Sequence, residues 1–429
     1  MSSTIDREFL WGVSTSAFQI EGQIENDITD WEKLGRFRTG GEDPLYQRAA
    51  DHWQRWEQDF GLLKSLGVNS YRFSVEWARI EPERGKFDAA ALDQYSRMLD
   101  RLLELGITPM LTLHHFTHPT WFHHETPWHS PESVDAFTEF SRRVIERLGV
   151  RVPLFITINE PMVWLLAGYL DAKFPPGERD VHRLADALHN MLLAHARVYD
   201  LIKAANPRAQ VGIANNFIVF KSAHKWNPLD KKIKRLIHSF YNMCIVDAFR
   251  DNVIRIKFPF IMDYEKSIPL NDKIDFWGVN YYYRMHVRFK LSLKYPFELF
   301  FRDRSGSGFT DLGWEIYARG LGRVLDWLKE TGKPIYVTEN GIATQDDAKR
   351  LAYMSQHLAI LDESIRTNPR LRGYYYWSLI DNYEWLVGYK ARFGLYEVDY
   401  DNGLERTLRP SGQFFADHIR NLNNESPMS

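Results

Sequence analysis

The sequence predicts an α/β fold in which a single domain, residues 1–429, forms a (β/α)8 TIM barrel. Short apolar segments alternate with helical segments eight times along the chain. No linker, low-complexity block or repeat of fixed period divides the sequence. Such a length usually indicates about two or three domains, but a barrel with insertions accommodates it as one unit. A doubly wound open sheet is the alternative, although it usually needs fewer units.

The predicted strands are short apolar runs that end abruptly in polar residues. Pro334–Val337 is such a run, and an acid, an amide and a glycine follow it closely. A pattern of this kind is typical of a buried strand that runs out into a loop. The eight predicted strands are Phe9–Thr15, Val68–Ser74, Ile107–Leu113, Val152–Ile158, Val211–Asn215, Ile274–Asn280, Ile335–Glu339 and Gly373–Ser378.

The segments between these strands have the periodicity and the end signals of helices. Gly67 and Gly106 each follow a helical segment and precede a strand, so they are expected to end those helices. Ser130 and Pro131 form a cap followed by a proline, which is typical of a helix start. The predicted helices are Leu45–Leu66, Ala89–Leu105, Pro131–Leu148, Val181–Ala205, Leu229–Arg250, Trp314–Thr331, Asp347–Asn368 and Gly412–Leu422.

Composition narrows the class of protein. The net charge is −2, from 54 basic and 56 acidic residues, so no global field favours nucleic acid as a partner. The one cysteine, Cys244, cannot form an internal disulfide, which agrees with a reducing compartment. Met1–Phe9 has no apolar signal core, and no stretch approaches the length of a membrane span. A cytoplasmic location is expected.

Two of the predicted strands end in a glutamate beside an asparagine. Asn159 and Glu160 follow one strand, and Glu339 and Asn340 close another. In a barrel of this type the carboxyl ends of the strands carry the active site, so both carboxylates are expected at one end of the sheet. An acid at the end of a buried strand has no packing role. Sugar hydrolysis uses such a pair of carboxylates.

Other polar and aromatic residues also lie at predicted strand ends, and their joint occurrence is hard to explain by packing. Singly, each is weak evidence, because a glutamate after a strand is most often a loop charge or a helix cap. Arg72 is an exception, since a charge between Tyr71 and Phe73 on a central strand must find an anion. The full set adds Gln19, Glu76, His114, His115, Asn280, Tyr282, Trp377 and Glu384.

The histidines after the third strand raise the alternative of a metal site. His114, His115 and His118 do not match a recurrent ligand spacing, and no cysteine or paired acid accompanies them. Neither a metal nor a cofactor is therefore predicted.

Seven motifs together identify the chain as resembling glycoside hydrolase family 1, the β-glucosidase family, from about Phe9 to Phe415. Jointly they are highly specific, whereas TENG alone would not be. They are FLWGVSTSAFQIEG at Phe9–Gly22, YRFSVEWARI at Tyr71–Ile80, TLHHF at Thr112–Phe116, TINEP at Thr157–Pro161, GVNYY at Gly278–Tyr282, VTENG at Val337–Gly341, and WSLIDNYEW at Trp377–Trp385 with RFGL after it.

The resemblance implies a role for each matching position. Glu339 would be the nucleophile, and Glu160 the general acid and then the general base. Asn159 would hold the sugar 2-hydroxyl, while Arg72 and Tyr282 would keep Glu339 ionised and oriented. The remaining sugar-binding residues implied by the resemblance are Gln19, His115, Trp121, Trp377, Glu384, Trp385 and Phe393.

The function that the resemblance implies is hydrolysis of terminal β-D-glycosyl residues with retention, on glucosides and also on galactosides and fucosides. The expected partner is a small-molecule β-glycoside. Transglycosylation is an open alternative, because an alcohol can capture the same intermediate instead of water. A 6-phospho-β-glycosidase is disfavoured by Glu384, which would repel a phosphate, although Lys390 lies close by. An inactive sugar-binding protein is the remaining alternative.

Two regions depart from the family pattern. Thr117 and His118 follow the sugar-binding histidine in place of the usual Asp-Leu, and they are expected to change the rim on the leaving-group side. Residues 221–294 mix basic and apolar residues, which predicts an amphipathic barrel helix and a crossing loop. The alternative for this region is an apolar mouth for lipid-like or aryl leaving groups that touches a membrane surface.

Overall fold

The structure is a computed structural model that describes residues 9–36, 48–258, 261–292 and 296–425. Its strands within these ranges are β1 (Leu10–Ser14), β2 (Ser70–Ser74), β3 (Thr108–His114), β4 (Leu154–Asn159), β5 (Gln210–Asn216), β6 (Val219–Ser222), β7 (Val253–Phe258), β8 (Met262–Ser267), β9 (Phe276–Asn280), β10 (Arg284–Phe289), β11 (Phe297–Phe300), β12 (Ile335–Asn340), β13 (Leu371–Trp377), β14 (Tyr396–Val398) and β15 (Arg406–Leu408).

Eight of these strands close into a parallel barrel, which confirms the predicted fold class. Their order around the barrel is β1, β13, β12, β9, β5, β4, β3 and β2. All eight were predicted from the sequence, and each observed end lies within two residues of its predicted position. The chain-order pattern of strands and helices is therefore the pattern of a (β/α)8 barrel.

Helices cover the outside of the barrel and line its loops. They are α1 (Ala17–Glu21), α2 (Asp27–Lys33), α3 (His52–Leu66), α4 (Trp77–Ile80), α5 (Ala89–Glu104), α6 (Thr120–Glu125), α7 (Glu132–Leu148), α8 (Pro161–Tyr169), α9 (Val181–Ala205), α10 (Pro228–His238), α11 (Cys244–Asp251), α12 (Arg319–Lys329), α13 (Asp347–Thr367) and α14 (Pro410–Glu425). Among the described residues, none of these helices is long and apolar enough to cross a bilayer.

The predicted start of the helix Leu45–Leu66 is wrong. The observed α3 begins at His52, because Ala49 and Asp51 have φ values of 44° and 56°, which an α-helix cannot contain. Residues 45–47 of that prediction lie outside the described residues.

Two other predicted helices differ from the structure. The helix predicted over Trp314–Thr331 begins only at Arg319, because Glu315 instead forms an isolated β-bridge with Arg284. The helix predicted over Leu229–Arg250 consists of α10 and α11 joined by a π-helical turn, Ser239–Met243. Local propensity does not encode either feature, since both depend on neighbouring segments.

The barrel interior is packed below the strand ends that carry polar residues. Ser70 Oγ and Tyr375 Oη lie 2.7 Å apart across it. This layer closes the floor of the barrel, so a ligand has access only from the carboxyl ends of the strands. The apolar residues of the layer are Met110, Leu154, Ile156, Ala214, Phe276, Tyr336 and Tyr375.

The region 221–294 holds more structure than the predicted helix and crossing loop. Strands β6, β10 and β11 form a small sheet outside the barrel, and β7 and β8 form a hairpin. In the sheet, β6 runs parallel to β10 with Lys221 opposite His286. These strands flank the loops that follow β5 and β9, so they build walls beside the carboxyl ends of the barrel strands.

Candidate active site

The ends of four neighbouring barrel strands bring the predicted carboxylates together. In the pairing of β12 with β9, Glu339 lies opposite Asn280. Gly341 follows two residues later and passes very close to β13. A Cβ atom at that position would lie 1.9 Å from the carbonyl oxygen of Trp377. The glycine of the TENG segment is therefore required for the close approach of the two strands.

Glu339 is buried and accepts a hydrogen bond on each carboxylate oxygen. Arg72 Nη1 donates to Oε1 at 2.5 Å, and the hydroxyl of Tyr282 donates to Oε2 at 2.6 Å. Arg72 is fully buried, so its ion pair with Glu339 is shielded from solvent. Burial, followed by the charge of Glu339, raises the pKa of Tyr282 well above its usual value, which keeps the phenol a donor. Both contacts favour the ionised carboxylate and hold its orientation.

Glu160 is held in the opposite protonation state. It caps α8 with a φ of 44°, and the amides of Asn280 and Asn216 donate to its Oε1 at 2.8 and 3.0 Å. Burial, and then the negative charge of Glu339, raise the pKa of Glu160 to about 8. The carboxyl is therefore protonated at neutral pH. Because both amides donate to Oε1, the proton resides on Oε2.

Asn216 is a site residue that the sequence analysis did not identify. It ends β5, and the hydroxyl of Tyr241 donates to its Oδ1 at 2.8 Å. This contact assigns the orientation of the Asn216 amide, so that its nitrogen points at Glu160. The sequence signal that could have identified Asn216 is its position as the last residue of a barrel strand. Asn280 has the same position on β9.

Asn159 connects the two carboxylates. Its Oδ1 accepts from Arg72 Nη2 at 2.7 Å and from Asn280 Nδ2 at 3.1 Å, which leaves its amide nitrogen to donate. That nitrogen lies 3.2 Å from Nε2 of His115. Burial, and then the charge of Arg72, lower the pKa of His115 well below its usual value, so its ring is neutral.

The neutral ring of His115 accepts at Nε2 and carries its proton on Nδ1. Within the described part of the chain, that buried Nδ1 has no hydrogen-bond partner. The second amide hydrogen of Asn159 is likewise not used by His115. The free amide hydrogen of Asn159 is thus a donor for a hydroxyl group of a bound sugar, whereas His115 Nδ1 is a buried donor without a partner.

Gln19 and Glu384 lie in contact at the other side of the site. Gln19 Nε2 donates to Glu384 Oε2 at 3.1 Å, and its Oε1 accepts from Ser16 Oγ at 2.7 Å. Burial, and then the charge of Glu339, raise the pKa of Glu384 to about 8. The pair places an amide and a carboxyl within reach of one hydroxyl-bearing ligand.

Aromatic rings surround these polar groups. The rings of Trp377 and Trp385 each stack with His115, at centroid distances of 5.9 and 6.3 Å. Phe393 is buried and packs against Tyr282 at 6.1 Å. Flat apolar faces beside hydroxyl-binding groups match the two sides of a sugar ring.

Trp121, for which the resemblance implies sugar binding, makes its hydrogen bond and ring contacts with other residues, so its sugar-binding role stays a prediction. Its indole nitrogen donates to the backbone oxygen of Glu81 at 3.0 Å. Its ring contacts are with Trp77 and Phe122. It lies on α6 and packs toward α4, because the chain turns away from the strand end after His115.

Thr117 and His118 also differ from expectation, since both are buried and neither forms a rim. The hydroxyl of Thr117 donates to Glu76 Oε2 at 2.8 Å. Nδ1 of His118 lies 3.0 Å from Asp27 Oδ2, and Trp128 Nε1 donates to its Nε2 at 2.7 Å. These contacts form a polar network behind α6, so the two residues join elements rather than contact a leaving group.

Two buried glutamates at the strand ends of a (β/α)8 barrel, one in an ion pair with Arg72 and the other with a raised pKa, are surrounded by hydroxyl-binding groups, and this arrangement defines the class of glycoside hydrolases. The chain belongs to glycosyl hydrolase family 1, whose sequence model matches residues 1–424. The protein is accordingly an O-glycosyl hydrolase.

Known proteins resemble the chain over nearly its whole length. β-Glucosidase A of Thermotoga maritima is 34% identical, covering 96% of this chain and 97% of its own. A solved β-glycosidase from Pyrococcus horikoshii is 38% identical with a TM-score of 0.88, covering 96% of this chain and 94% of its own. The β-glucosidase from T. maritima in complex with glucoimidazole has a TM-score of 0.87 at 33% identity, with 96% and 98% covered.

Proposed function

We propose that the protein is a retaining β-glycosidase that cleaves terminal β-D-glucosyl residues from small-molecule glycosides. The observation that carries the proposal is the difference between the surroundings of the two buried carboxyls: Arg72 and Tyr282 donate to Glu339, whereas only the amides of Asn280 and Asn216 donate to Glu160. Arg72 and Tyr282 hold Glu339 as a carboxylate, while burial holds Glu160 as an acid with a pKa of about 8. A nucleophile and a proton donor are the two groups that a retaining mechanism needs.

In the first step, a carboxylate oxygen of Glu339 attacks the anomeric carbon, and the bond from that carbon to the glycosidic oxygen breaks. The proton on Glu160 Oε2 passes to the departing oxygen, so the leaving group departs as a neutral alcohol. The product on the enzyme is a glycosyl ester. Asn159 donates to the 2-hydroxyl, and this contact strengthens in the transition state.

In the second step, Glu160 is the base. Esterification has removed the charge of Glu339, so the pKa of Glu160 falls and its carboxylate takes a proton from water. The water oxygen attacks the anomeric carbon and the ester bond breaks, which returns Glu339 as a carboxylate. Two displacements at one carbon restore the original β configuration. An alcohol in place of water would give transglycosylation through the same intermediate.

Retention is tested by the first-formed sugar. Proton NMR during hydrolysis of an aryl β-D-glucoside should show β-D-glucose first, with the α anomer growing only by mutarotation. An initial α product would contradict the assignment of Glu339 as nucleophile. Absence of any hydrolysis would favour the inactive sugar-binding alternative.

We further propose that the enzyme accepts both β-glucosides and β-galactosides. Gln19 and Glu384 offer several hydrogen-bonding atoms in contact with each other, so an inverted 4-hydroxyl can still find a partner. An unpaired buried group would cost about 1–3 kcal/mol. We therefore expect galactoside and fucoside kcat/KM values within about a hundredfold of the glucoside value.

The corresponding mannoside should react far more slowly, because its axial 2-hydroxyl misses Asn159. The measurement is kcat/KM for the 4-nitrophenyl β-D-glucoside, galactoside, fucoside and mannoside under one condition. Equal values for mannoside and glucoside would mean that Asn159 does not recognise the 2-position.

An apolar cavity supports a preference for substrates with apolar leaving groups. The cavity has a volume of about 560 Å³ and is lined by residues that include Phe220, Ile237 and Leu299. Tyr241 also lines it, and that residue lies one hydrogen bond from Asn216, which contacts Glu160. Two successive hydrogen bonds, through Tyr241 and Asn216, thus separate the cavity wall from the proton donor Glu160.

We expect octyl β-D-glucoside, below its micelle concentration, to have a KM at least about tenfold lower than methyl β-D-glucoside, since two buried methylenes contribute about 0.8 kcal/mol each. Leu299→Gln should reduce this ratio by placing an amide on the cavity wall. Leu103→Gln is the matched control, because Leu103 is similarly exposed (41% against 38%) and does not line this cavity. Equal KM values for the two glucosides in the wild-type enzyme would exclude this aglycone site.

A further inference from the structure

A second cavity lies on the outer sheet, on the other side of β6 and β10 from the apolar one. Alternation along the two strands sends Phe220 and Met285 toward the apolar cavity and Lys221, Arg284 and His286 toward this one. Its volume is about 580 Å³, which is enough for a small organic ligand. None of the residues assigned to the sugar site lines it.

The cavity wall is cationic. Arg284 is neutralised by Glu315, with Nε donating to Oε2 at 2.8 Å. The other basic residues have no such partner, because no carboxylate lines the cavity and, within the described ranges, none of them forms a salt bridge. These unpaired residues are Lys221, Lys225, Lys231, Lys234, Arg235 and Arg304.

Some basic residues on other helices are paired with acids. On α7, for example, Arg142 and Arg143 each form an ion pair with Glu139. On α10 the bases Lys231, Lys234 and Arg235 are spaced by three and four residues, which places like charges on one face and destabilises the helix.

The one acid of α10, Asp230, does not compensate them. Its Oδ1 accepts from the backbone nitrogen of Phe289 at 2.8 Å, and its Oδ2 lies 2.9 Å from His224 Nδ1. Asp230 therefore binds to neighbouring segments of the chain rather than to the bases of the cavity. Lys231, Lys234 and Arg235 face the cavity without a salt-bridge partner among the described residues.

The unfavourable electrostatics and burial of this cluster are seen at two residues of the cavity, Lys221 and His286. Burial, and then the cations Arg323, Arg284, Lys234 and Lys225, lower the pKa of Lys221. His286 is almost completely buried, and its Nδ1 has no hydrogen-bond partner within the described residues, although Glu315 Oε2 lies 3.6 Å away. A bound anion would relieve the repulsion around Lys221.

We propose that this cavity is a second ligand site, which binds a compound carrying several phosphate groups. Six unpaired bases exceed what a single phosphate dianion neutralises, and lysine and arginine are the residues that proteins use for phosphate. A free oligophosphate and a cluster of anionic phospholipid headgroups present the same chemistry. The experiment therefore includes both sources.

The test uses the full chain and the double variant Lys221→Gln/Lys234→Gln. The matched control is Lys232→Gln, since Lys232 is exposed on the same helix and does not line the cavity. Binding of tripolyphosphate is measured by isothermal titration calorimetry at low ionic strength. Binding to vesicles is measured by co-sedimentation, with phosphatidylglycerol vesicles compared with phosphatidylcholine vesicles.

We expect the wild-type protein and Lys232→Gln to bind one of the two probes with equal affinity. The double variant should bind that probe roughly tenfold or more weakly, because charge-assisted hydrogen bonds are lost. Hydrolysis of 4-nitrophenyl β-D-glucoside should be unchanged in both. Calorimetric binding of tripolyphosphate would identify a free oligophosphate as the source, and selective binding to phosphatidylglycerol vesicles would identify headgroups.

Three results would overturn the proposal. The first is no binding of either probe to the wild-type protein. The second is equal weakening by Lys232→Gln and the double variant, which would indicate a diffuse charged surface. The third is binding of a 20-base-pair DNA duplex more tightly than either phosphate probe, which would assign the bases to nucleic acid.

Discussion

Replacing Glu339 with alanine should lower kcat/KM for 4-nitrophenyl β-D-glucoside by a factor on the order of 10⁴ to 10⁶, the scale of losing a nucleophile that acts as part of a unit. Without its carboxylate, no glycosyl ester forms. Arg72 and Tyr282 lose the group to which both donate, at 2.5 and 2.6 Å, so the site is left positively charged. Steady-state kinetics with the purified variant measures the loss.

The anomer of the product formed with azide distinguishes a nucleophilic role of Glu339 from a structural one. In the Glu339→Ala variant, azide can only displace the leaving group directly, so the product should be the α-glucosyl azide. Glu76→Gln is the matched control: Glu76 is also a buried glutamate after a barrel strand, and its carboxylate is bound by Thr117 outside the sugar site. This control should keep wild-type stereochemistry. A β-azide from Glu339→Ala would contradict the assigned role.

Replacing Glu160 with alanine should have an effect that depends on the leaving group. Nitrophenols with low pKa values depart as phenolates without needing a proton. 2,4-Dinitrophenyl β-D-glucoside should therefore still glycosylate the enzyme. Alkyl glucosides need the proton and should lose about 10²–10⁴-fold in rate. Azide then attacks the ester from the side that Glu160 occupied, which gives the β-azide. The same azide anomer from both alanine variants would show that the roles are wrongly divided.

The pH profile supplies a second readout of Glu160. Its acid form is active in the first step, so kcat/KM should fall as pH rises through the pKa of about 8. Wild type and both variants are assayed with the same 4-nitrophenyl β-D-glucoside: Glu160→Gln should have no such alkaline limb, whereas Glu76→Gln should retain it although the pKa of Glu76 is also raised to about 8. An alkaline limb that persists in Glu160→Gln would assign it to another group, such as Glu384, whose pKa is similarly raised.

The barrel itself was predictable because its determinants are local. Each barrel strand is a short apolar run that ends in a polar residue, and period and length suffice to find it. The same pattern located Glu160 and Glu339, since a buried strand that ends in an acid places that acid at the catalytic end of a barrel. The outer sheet was missed, because β6, β10 and β11 are short strands that mix polar and apolar residues.

The sequence by itself determined the barrel, the strand ends that carry the two carboxylates, and the need of Arg72 for an anion. The family resemblance implied Glu339, 267 residues away, as this anion, and the tertiary structure shows the contact; only the tertiary structure decided that Asn216 contacts Glu160. It also decided that Trp121 packs toward Glu81 and that Thr117 and His118 are buried. The physical reason is that periodicity and chain order set where each strand begins and ends. The partner of a side chain, by contrast, depends on which distant strands closure of the barrel brings together.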